Sequence, residues 1–499
     1  MRQVITFFAL LCVPLAGITG DWITGGGNAA RNAISDEIGP SSPETLWEVS
    51  SPAWFGNQMF IEGDKLVTRR YQSPYTVPIY CYDLDNGDLL WNLNLPGAFQ
   101  SLPLGIRDGQ VYALKYLETG LNTLYALNAA DGSIIWQVEV PELDYFYSPE
   151  SATFAPNGDI ILGDLFHVCR YDHTTGALLW TFNRVGFASG CSESIASATT
   201  VYTWSQTGGV FQIVAVDIET GLERYRVDIA GEAGGPMQQA APGCIAPDGT
   251  IYVHRQGDNI TAVEDTGGSL QILWSTPITG SAPFSYIAAG SNGSVYAPVD
   301  GAVIQLDGAT GAVLTSSETI CTGTNTKTRY AIGTDGTVYL SDGESGGLGQ
   351  LWAFTSDLQT LWNVVVNQIN DSGPAMGSDG RLAVASDGHI TVFHTDPPVT
   401  VSLIPLNPPI IIPASGGSFD FGIELRNDSV VPETFDAWIM VQLPNGSWFG
   451  PLLGPANLTV PAGQVIERDR SQDVPANASA GTWTYEGRVG VYPDEVWDT

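Results

Sequence analysis

Positive charge is scarce in this chain, and the scarcity excludes several classes of partner. The 499 residues include 19 lysines and arginines against 53 aspartates and glutamates, so the formal net charge is −34. Nucleic acids and anionic membranes both reward Lys and Arg at a binding surface. The sequence therefore argues against both as partners and indicates an acidic, solvated exterior.

Long apolar runs are also rare. Beyond the N-terminus no run reaches the roughly 18 residues that a membrane-spanning helix needs, so no transmembrane segment is expected. Residues 1–20 are interpreted as a secretory signal peptide, because Arg2 precedes the apolar run Val4–Leu15 and small residues follow it. The predicted location is the periplasm, the cell surface or the exterior, and a monomer is expected.

The cysteines do not form a disulfide framework. Five of them follow the signal segment, at Cys81, Cys169, Cys191, Cys244 and Cys321. An odd number without tight spacing favours buried thiols, with a bridge between Cys191 and Cys244 as the alternative.

Motifs for catalysis are missing as well. The chain has no Gly-x-Ser-x-Gly, no phosphate-binding loop and no His-Glu-x-x-His. His167 and Cys169 would share one strand face, as metal ligands do, but no second pair accompanies them. We therefore predict no catalytic, cofactor-binding or metal-ligating residue. Calcium is the one cofactor left open, because Asp83–Asp88 has oxygen ligands at the spacing of a calcium loop, although no Glu stands at the twelfth position.

What the chain does have is a repeat. An apolar strand, a Gly turn and a Leu-Trp dipeptide, or a variant of it, recur eight times at steps of 41 to 49 residues. A fixed period of 40–50 residues with strand patterning is typical of a β-propeller with one blade per repeat. A second turn in each period, such as Asp108-Gly109 or Asp248-Gly249, supplies another hairpin and predicts four strands per blade.

The two ends of the repeat complement each other. Trp47 has no strand of the repeat before it, and Ile390–Phe393 has no Leu-Trp after it. The simplest interpretation is that the strand around Leu46–Val49 closes the last blade. The prediction is an all-β chain with an eight-bladed propeller over residues 21–396.

Three of the repeats carry the residues of a known pattern. Asp172, Thr175 and Gly176 precede Trp180, and the same Asp-x-x-Thr-Gly spacing recurs at 217–221 and 307–311. This spacing resembles the pyrroloquinoline-quinone-type (PQQ-like) repeat, and Trp22–Asn32 resembles the lead-in to such propellers. The resemblance implies that Asp and Thr hydrogen-bond the turn and that buried aromatic residues dock each blade on its neighbour. The implied docking residues are Trp47, Trp91, Trp136, Trp180, Tyr225, Trp274 and Trp362.

The repeat stops near residue 397, where Pro397-Pro398 opens a predicted linker over residues 397–404. Alternating apolar residues in Ser418–Leu425, Phe435–Leu443 and Thr482–Val491 then predict a small Ig-like β-sandwich over 405–499.

Two functional hypotheses follow. The leading one is a secreted, non-catalytic PQQ-like propeller that binds protein or glycan at the cell envelope or surface, with an architecture like that of outer-membrane assembly propellers. The alternative is a quinoprotein alcohol or sugar dehydrogenase, or another enzyme on the axial face. The resemblance implies that such dehydrogenases hold quinone and calcium on the propeller axis, commonly beside an adjacent-cysteine disulfide, and this chain has no Cys-Cys pair. The contents of the axial channel distinguish the two.

Overall fold

The structure is a computed structural model, and the chain divides into two compact units, residues 1–395 and 396–499. The signal segment, Cys191 and Cys321 lie outside the described residues. The structure describes residues 21–50, 55–70, 77–117, 120–143, 151–164, 166–185, 193–229, 243–254, 259–278, 286–299, 301–320, 329–342, 349–366, 373–386, 388–394, 397–427, 429, 432–493 and 495–499.

The described part of the first unit contains eight four-stranded antiparallel sheets, which we number in chain order. Strand β1 is Thr45–Ser50 and belongs to the last sheet. Sheet 1 contains β2 (Phe55–Glu62), β3 (Lys65–Arg70), β4 (Ile79–Asp83) and β5 (Leu89–Leu93); sheet 2 contains β6 (Gln100–Arg107), β7 (Gln110–Tyr116), β8 (Thr123–Asn128) and β9 (Ile134–Glu139); sheet 3 contains β10 (Thr153–Phe154), β11 (Ile160–Gly163), β12 (His167–Tyr171) and β13 (Leu178–Asn183); sheet 4 contains β14 (Ile195–Ala196), β15 (Thr200–Thr207), β16 (Val210–Asp217) and β17 (Glu223–Ile229).

The other four sheets follow the same plan, with the innermost strand first. Sheet 5 contains β18 (Gly243–Ile245), β19 (Ile251–His254), β20 (Asn259–Asp265) and β21 (Leu270–Pro277); sheet 6 contains β22 (Ala288–Ala289), β23 (Ser294–Val299), β24 (Ala302–Asp307) and β25 (Val313–Ser316); sheet 7 contains β26 (Arg329–Ile332), β27 (Val338–Asp342), β28 (Gly349–Phe354) and β29 (Thr360–Val366); sheet 8 contains β30 (Ala375–Met376), β31 (Leu382–Ser386), β32 (His389–Phe393) and β1. Within the described ranges, a 3-10 turn spans Ser378–Gly380. None of the helical segments in the described ranges is long and apolar enough to span a membrane.

Strand β1 completes sheet 8, as the two half-motifs predict. It pairs antiparallel with β32, placing Trp47 opposite Val392 and Val49 opposite Ile390. The predicted closing strand is therefore confirmed. The number of sheets also matches the predicted number of blades.

The Asp and Thr of the repeat hydrogen-bond the turn between the third and fourth strands. The Asp172 carboxylate accepts bonds from the backbone N–H and the hydroxyl of Thr175, both at 2.8 Å. Gly176 follows with φ of 73°, a conformation that L side chains rarely adopt. The same two bonds join Asp217 to Thr220.

Every sheet has a β-bulge in its outer strand, immediately before the docking position. In sheet 1, Trp91 lies opposite Cys81 and Leu89 lies opposite Tyr82, so Leu90 is the extra residue. A bulge re-aims the side chain that follows it and disrupts the free edge of the strand. The extra residues of the eight sheets are Leu90, Ile135, Leu179, Arg224, Leu273, Leu314, Leu361 and Leu46.

The aromatic residue after each bulge reaches the next sheet. Its indole N–H donates to a backbone carbonyl that follows the third strand of that sheet, as Trp91 does to Ala129 at 2.8 Å. The other indole donors and their acceptors are Trp47 to Leu84, Trp136 to His173, Trp180 to Ile218, Trp274 to Gly308 and, through the chain before β1, Trp362 to Pro40. The apolar core lies between neighbouring sheets; Val67 of sheet 1 and Val111 of sheet 2, for example, belong to one buried cluster.

Two links are made differently. In sheet 4, Tyr225 stands at the docking position, and its hydroxyl donates to Asp265 of sheet 5 together with that of Tyr202. Burial alone would raise the pKa of Asp265, but the bonds from Tyr225 and Tyr202 hold it below its usual range. Sheet 6 has Thr315 at this position, and the hydroxyl of Tyr296 instead reaches the carbonyl of Ser356 in sheet 7 at 2.8 Å.

Burial at the docking positions is uneven. Trp47, Trp91 and Trp180 are 8–9% exposed. The resemblance implies buried residues at these positions; in the structure four of them are partly exposed: Trp136, Tyr225, Trp274 and Trp362.

The second unit contains two antiparallel sheets. Its strands are β33 (Val399–Pro405), β34 (Gly417–Asn427), β35 (Glu433–Gln442), β36 (Trp448–Val460), β37 (Val465–Val474), β38 (Thr484–Val491) and β39 (Glu495–Asp498). The orders are β33-β34-β37 and β36-β35-β38-β39. The three predicted apolar runs correspond to β34, β35 and β38. The predicted linker over 397–404 is wrong for most of its length, because Val399 and Val401 alternate inward and β33 pairs with β34.

We expect Trp91→Ala to lower the free energy of unfolding by about 3–5 kcal/mol, because truncation of a buried aromatic leaves a cavity beside the next sheet. The neighbouring Leu90→Ala is the matched control. Leu90 is 42% exposed, so its loss is expected to cost no more than about 0.5 kcal/mol. Urea titration followed by circular dichroism measures both, and equal costs would contradict the docking role.

The repeat turns also predict a pH dependence. Hydrogen bonds from Thr174 and Thr175 lower the pKa of Asp172 to about 2, below its ordinary value of 3.8. A carboxylate with a depressed folded-state pKa stabilises the fold above its unfolded value and loses that contribution as the pH falls from about 4 towards 2. Asp172→Asn should therefore lower the melting temperature more at about pH 6 than at about pH 3. The exposed Asp379→Asn serves as control, and a pH-independent effect of Asp172→Asn would refute the expectation.

Candidate functional site on the propeller axis

The inner strands of sheets 1–7 meet a segment of the same chain, Trp22–Ser35, which we call the axial segment. Backbone hydrogen bonds join it to one sheet after another. They run between Trp22 and Ile61, Ile23 and Ile106, Ala29 and Ala196, Ala30 and Ile245, Asn32 and Ala289, and Ala33 and Ile332, with sheet 3 reached through the Thr24 hydroxyl and Ala152. The chain therefore fills its own axis at this level.

Glycines allow the axial segment to turn within the narrow space. Gly26 and Gly27 have φ of 74° and 88°. A Cβ added to Gly25 would lie 2.3 Å from Oε1 of Gln58 and 2.6 Å from the Arg31 guanidinium. A side chain at position 25 would therefore have to displace the ends of the Gln58 and Arg31 side chains.

A buried ion pair lies at the centre. Nη1 of Arg31 is 2.9 Å from the Glu193 carboxylate, and both side chains are fully buried. The Arg31 guanidinium also donates to the carbonyls of Gly25 and Ser194 and to the Ser151 hydroxyl. The Ser151 hydroxyl in turn donates to Glu193 at 2.6 Å. A buried ion pair tolerates desolvation only when its remaining donors and acceptors are satisfied, as they are here.

Above the axial segment lies a shallow cup, near the starts of the inner strands. Arg31 and Gly26 of the axial segment form part of its lining, together with Trp22, Ala33, Gln58, Met59, Tyr286, Ile287, Arg329, Tyr330, Gly373 and Pro374. The Arg329 guanidinium stacks 4.0 Å from the centre of the Tyr286 ring. Stacking of this kind holds a cation over an aromatic face. The cup thus presents aromatic rings together with the Arg329 guanidinium.

The space that remains is small. The cavity measures about 20 Å³, which is room for about one water molecule. A quinone of the PQQ type with a calcium ion needs far more, and the axial segment occupies the propeller axis, where the resemblance implies that cofactor, at this level. The described residues of the channel therefore do not fit it. They form neither an open ring of carboxylates and amides nor a purely apolar plug.

The candidate calcium segment is occupied by its own hydrogen bonds. The Asp83 carboxylate accepts from the backbone N–H groups of Asp85 and Asn86 at 2.8 and 3.2 Å, and Asp85 pairs with Arg381 at 2.6 Å. Across the described ranges, no three His, Cys, Asp or Glu side chains are grouped as metal ligands.

The remaining candidates are separate from the axis. His167 contacts Asp164, and Cys169 is fully buried beside the Thr181 hydroxyl. Cys81, Cys169 and Cys244 are free, buried thiols, as predicted for isolated cysteines. Burial raises the pKa of the Cys81 thiol to about 12, which makes this thiol unreactive at neutral pH.

Sequence reasoning missed Arg31 and Glu193, because nothing local distinguishes either residue. A faint signal was available in Gly25-Gly26-Gly27, since glycines in series permit close backbone approach.

Comparisons with known proteins are consistent with this geometry. A family model described as outer membrane protein assembly factor BamB matches residues 36–164 and 164–325. BamB of Yersinia pestis is 25% identical over 208 residues, which is 40% of this chain and about half (48%) of that relative. Two solved structures share the fold: BamB from Moraxella catarrhalis (TM-score 0.51, 18% identity, 70% of this chain and 99% of that one) and a europium-containing methanol dehydrogenase (0.53, 12%, 74% and 90%).

The family match extends over more than half of the chain, from the segment that precedes β1 to the end of sheet 6. The chain therefore belongs to the family of the outer membrane protein assembly factor BamB.

Proposed function

We propose that the protein is a secreted, non-catalytic propeller that binds other proteins at the cell envelope and holds them for assembly. The observation that carries this proposal is the family match over residues 36–325. The relatives are named for the assembly of outer membrane proteins. That role implies a location in the periplasm or at the cell surface and favours protein over glycan as the partner.

The axis supports a scaffold rather than an enzyme. The axial segment holds a saturated Arg31–Glu193 pair, and the cup above it has room for about one water molecule. The likeness to a methanol dehydrogenase is one of fold alone at 12% identity. A rigid ring of loops binds partners without needing a reactive centre.

We assign partner binding to the end of the ring that carries the cup. Exposed apolar side chains lie at this end on the neighbouring sheets 2 and 3. They are Leu121, Phe166 and Val185, at 49%, 41% and 59% exposure. Apolar groups of this kind, at the same end as the aromatic rings of the cup, suit the apolar core of a protein interface.

A photoreactive residue in place of Phe166 or Val185 is expected to form adducts with envelope proteins in the producing cells. The control is Leu222, which is 68% exposed and lies at the opposite end of sheet 4. Mass spectrometry identifies the adducts. Equal labelling from both ends would refute the assignment of the face, and the absence of protein adducts from either end would refute the scaffold.

Addition of the quinone and calcium to the purified protein should give neither stoichiometric uptake nor dye reduction over a panel of alcohols and aldoses. The physical reason is the lack of space beside the axial segment. Cofactor uptake with turnover would replace the scaffold by the dehydrogenase alternative, and a known quinoprotein assayed in parallel shows that the reagents are active.

A further inference from the structure

The second unit has four strand edges, and three of them resist pairing with another strand. Strand β33 ends at Pro405, β39 has only four residues, and β36 contains Pro451 and Pro455 together with two register shifts. Proline and bulges remove or displace the backbone groups that an added strand needs. These edges are protected in the usual ways.

Strand β37 is different. It has ten residues, Val465–Val474, without proline or glycine, and it pairs with β34 over its whole length without a register shift. Within the described residues no strand lies on its other side. A long, regular edge of this kind is the structure to which a further strand adds.

The register shows which backbone groups face the open side. Asn427 donates its N–H to the carbonyl of Gln464, directly before β37, at 2.9 Å. Since bonding alternates along an antiparallel pair, every second residue from Gln464 bonds to β34 and those between direct both backbone groups outward. The outward-directed residues are Glu467, Asp469, Ser471 and Asp473, with Val465 before them.

Side chains of β37 cover three of these open carbonyls. Arg468 donates to the carbonyl of Glu467 at 2.7 Å, and Arg470 donates to that of Asp469 at 2.9 Å. Gln472 donates to the carbonyl of Asp473 at 2.8 Å. These bonds are local and lie at the surface, where water competes with them. The N–H groups of an added strand can replace them and so release the two guanidinium groups.

The two arginines point to the inner face of their sheet. Arg468 lies opposite Ile423, and Arg470 lies opposite Phe421, which is 3% exposed. Yet both arginines are exposed. The facing sheet therefore leaves β37 uncovered at these two residues, although Tyr485 of β38 donates to Oε1 of Gln472 at 2.8 Å near the end of the strand.

Apolar side chains of the facing sheet are exposed on the same side. Phe449 and Leu453 of β36 lie opposite the buried Val441 and Ile439, so they too point inward, but they are 59% and 39% exposed. Strand β33 packs on β38 and β39, which leaves β37 on the β36 side. The space beside β37 thus has a cationic wall and an apolar wall.

We propose that β37 accepts an extended strand of another protein as the fourth strand of its sheet. The strand that fits has acidic side chains opposite Arg468 and Arg470 and aliphatic ones over Phe449 and Leu453. Its other face has basic side chains opposite Glu467 and Asp469. Opposite charges across a strand pair stabilise it, and like charges destabilise it.

The same rule excludes a second copy of this chain as the occupant. Antiparallel pairing of β37 with its own copy places Arg468 opposite Arg470, or one of these arginines opposite itself, in the central registers. The partner is therefore a different chain. This site lies in the second unit, so its test is independent of the function proposed for the first unit.

The probe is a labelled ten-residue peptide with Glu and Val on one face of an extended strand and Lys on the other. We expect saturable binding to the full-length protein by fluorescence anisotropy. A peptide with Glu and Lys exchanged should bind at least about tenfold more weakly, because it sets like charges opposite each other. No saturable binding, or equal binding of the two peptides, overturns the proposal.

Two sets of variants locate the site. Ser471→Pro removes an outward N–H without removing a bond to β34, so it should abolish binding, whereas Ser471→Ala should preserve it. Arg468→Glu with Arg470→Glu should reverse the preference between the two peptides, and Arg426→Glu, an exposed residue of β34, should not. Unchanged binding by Ser471→Pro overturns the proposal. If Ser471→Pro lowers the melting temperature, its loss of binding is not informative, and the double variant Arg468→Glu with Arg470→Glu becomes the test. An unchanged preference between the two peptides in that variant overturns the proposal.

Discussion

The contact between an outer-strand aromatic residue and the turn of the next sheet is the interaction on which the first unit depends. The bulge before Trp91 turns the indole towards Ala129, and the turn that receives it has Gly132 at the point of contact. A Cβ at Gly132 would lie 2.7 Å from the indole. The extra residue, the aromatic ring and the glycine act together at this link, and the arrangement is repeated with variations around the ring.

A ring of sheets docked in this way leaves a hole at its centre, and the inner strands there have unpaired backbone groups. The axial segment satisfies many of them, from Ile61 of sheet 1 to Ile332 of sheet 7. Satisfying these groups matters because an unpaired buried backbone group is costly. At this level of the axis, the chain therefore stabilises the ring with its own backbone.

The sequence predicts the fold well because the repeat is local and is stated eight times. Each Gly turn and the half-motif at Trp47 can be recognised within a few residues, and the eight copies together show the period. These features identify β1 as the closing strand. The Arg31–Glu193 pair joins distant parts of the chain and has no local signal. The β-bulges could in principle have been predicted, because adjacent apolar residues such as Leu89 and Leu90 break the alternation of a half-buried strand. The same pattern is equally typical of a fully buried strand, however, so it does not identify a bulge.

Strand β37 of the second unit differs from the outer strands of the first unit in the way its free edge is protected. The bulged residues that disrupt the eight outer strands, such as Leu90 and Leu314, are exposed and displace the ladder where another strand would pair. The outer edges of the first unit are thus protected against strand addition. Strand β37 has no bulge, and only charge guards it, through Arg468 and Arg470. Charged residues on an edge disfavour an added strand with like charges and favour one with opposite charges. The arginines that prevent self-association therefore also make the edge selective for strands with acidic side chains.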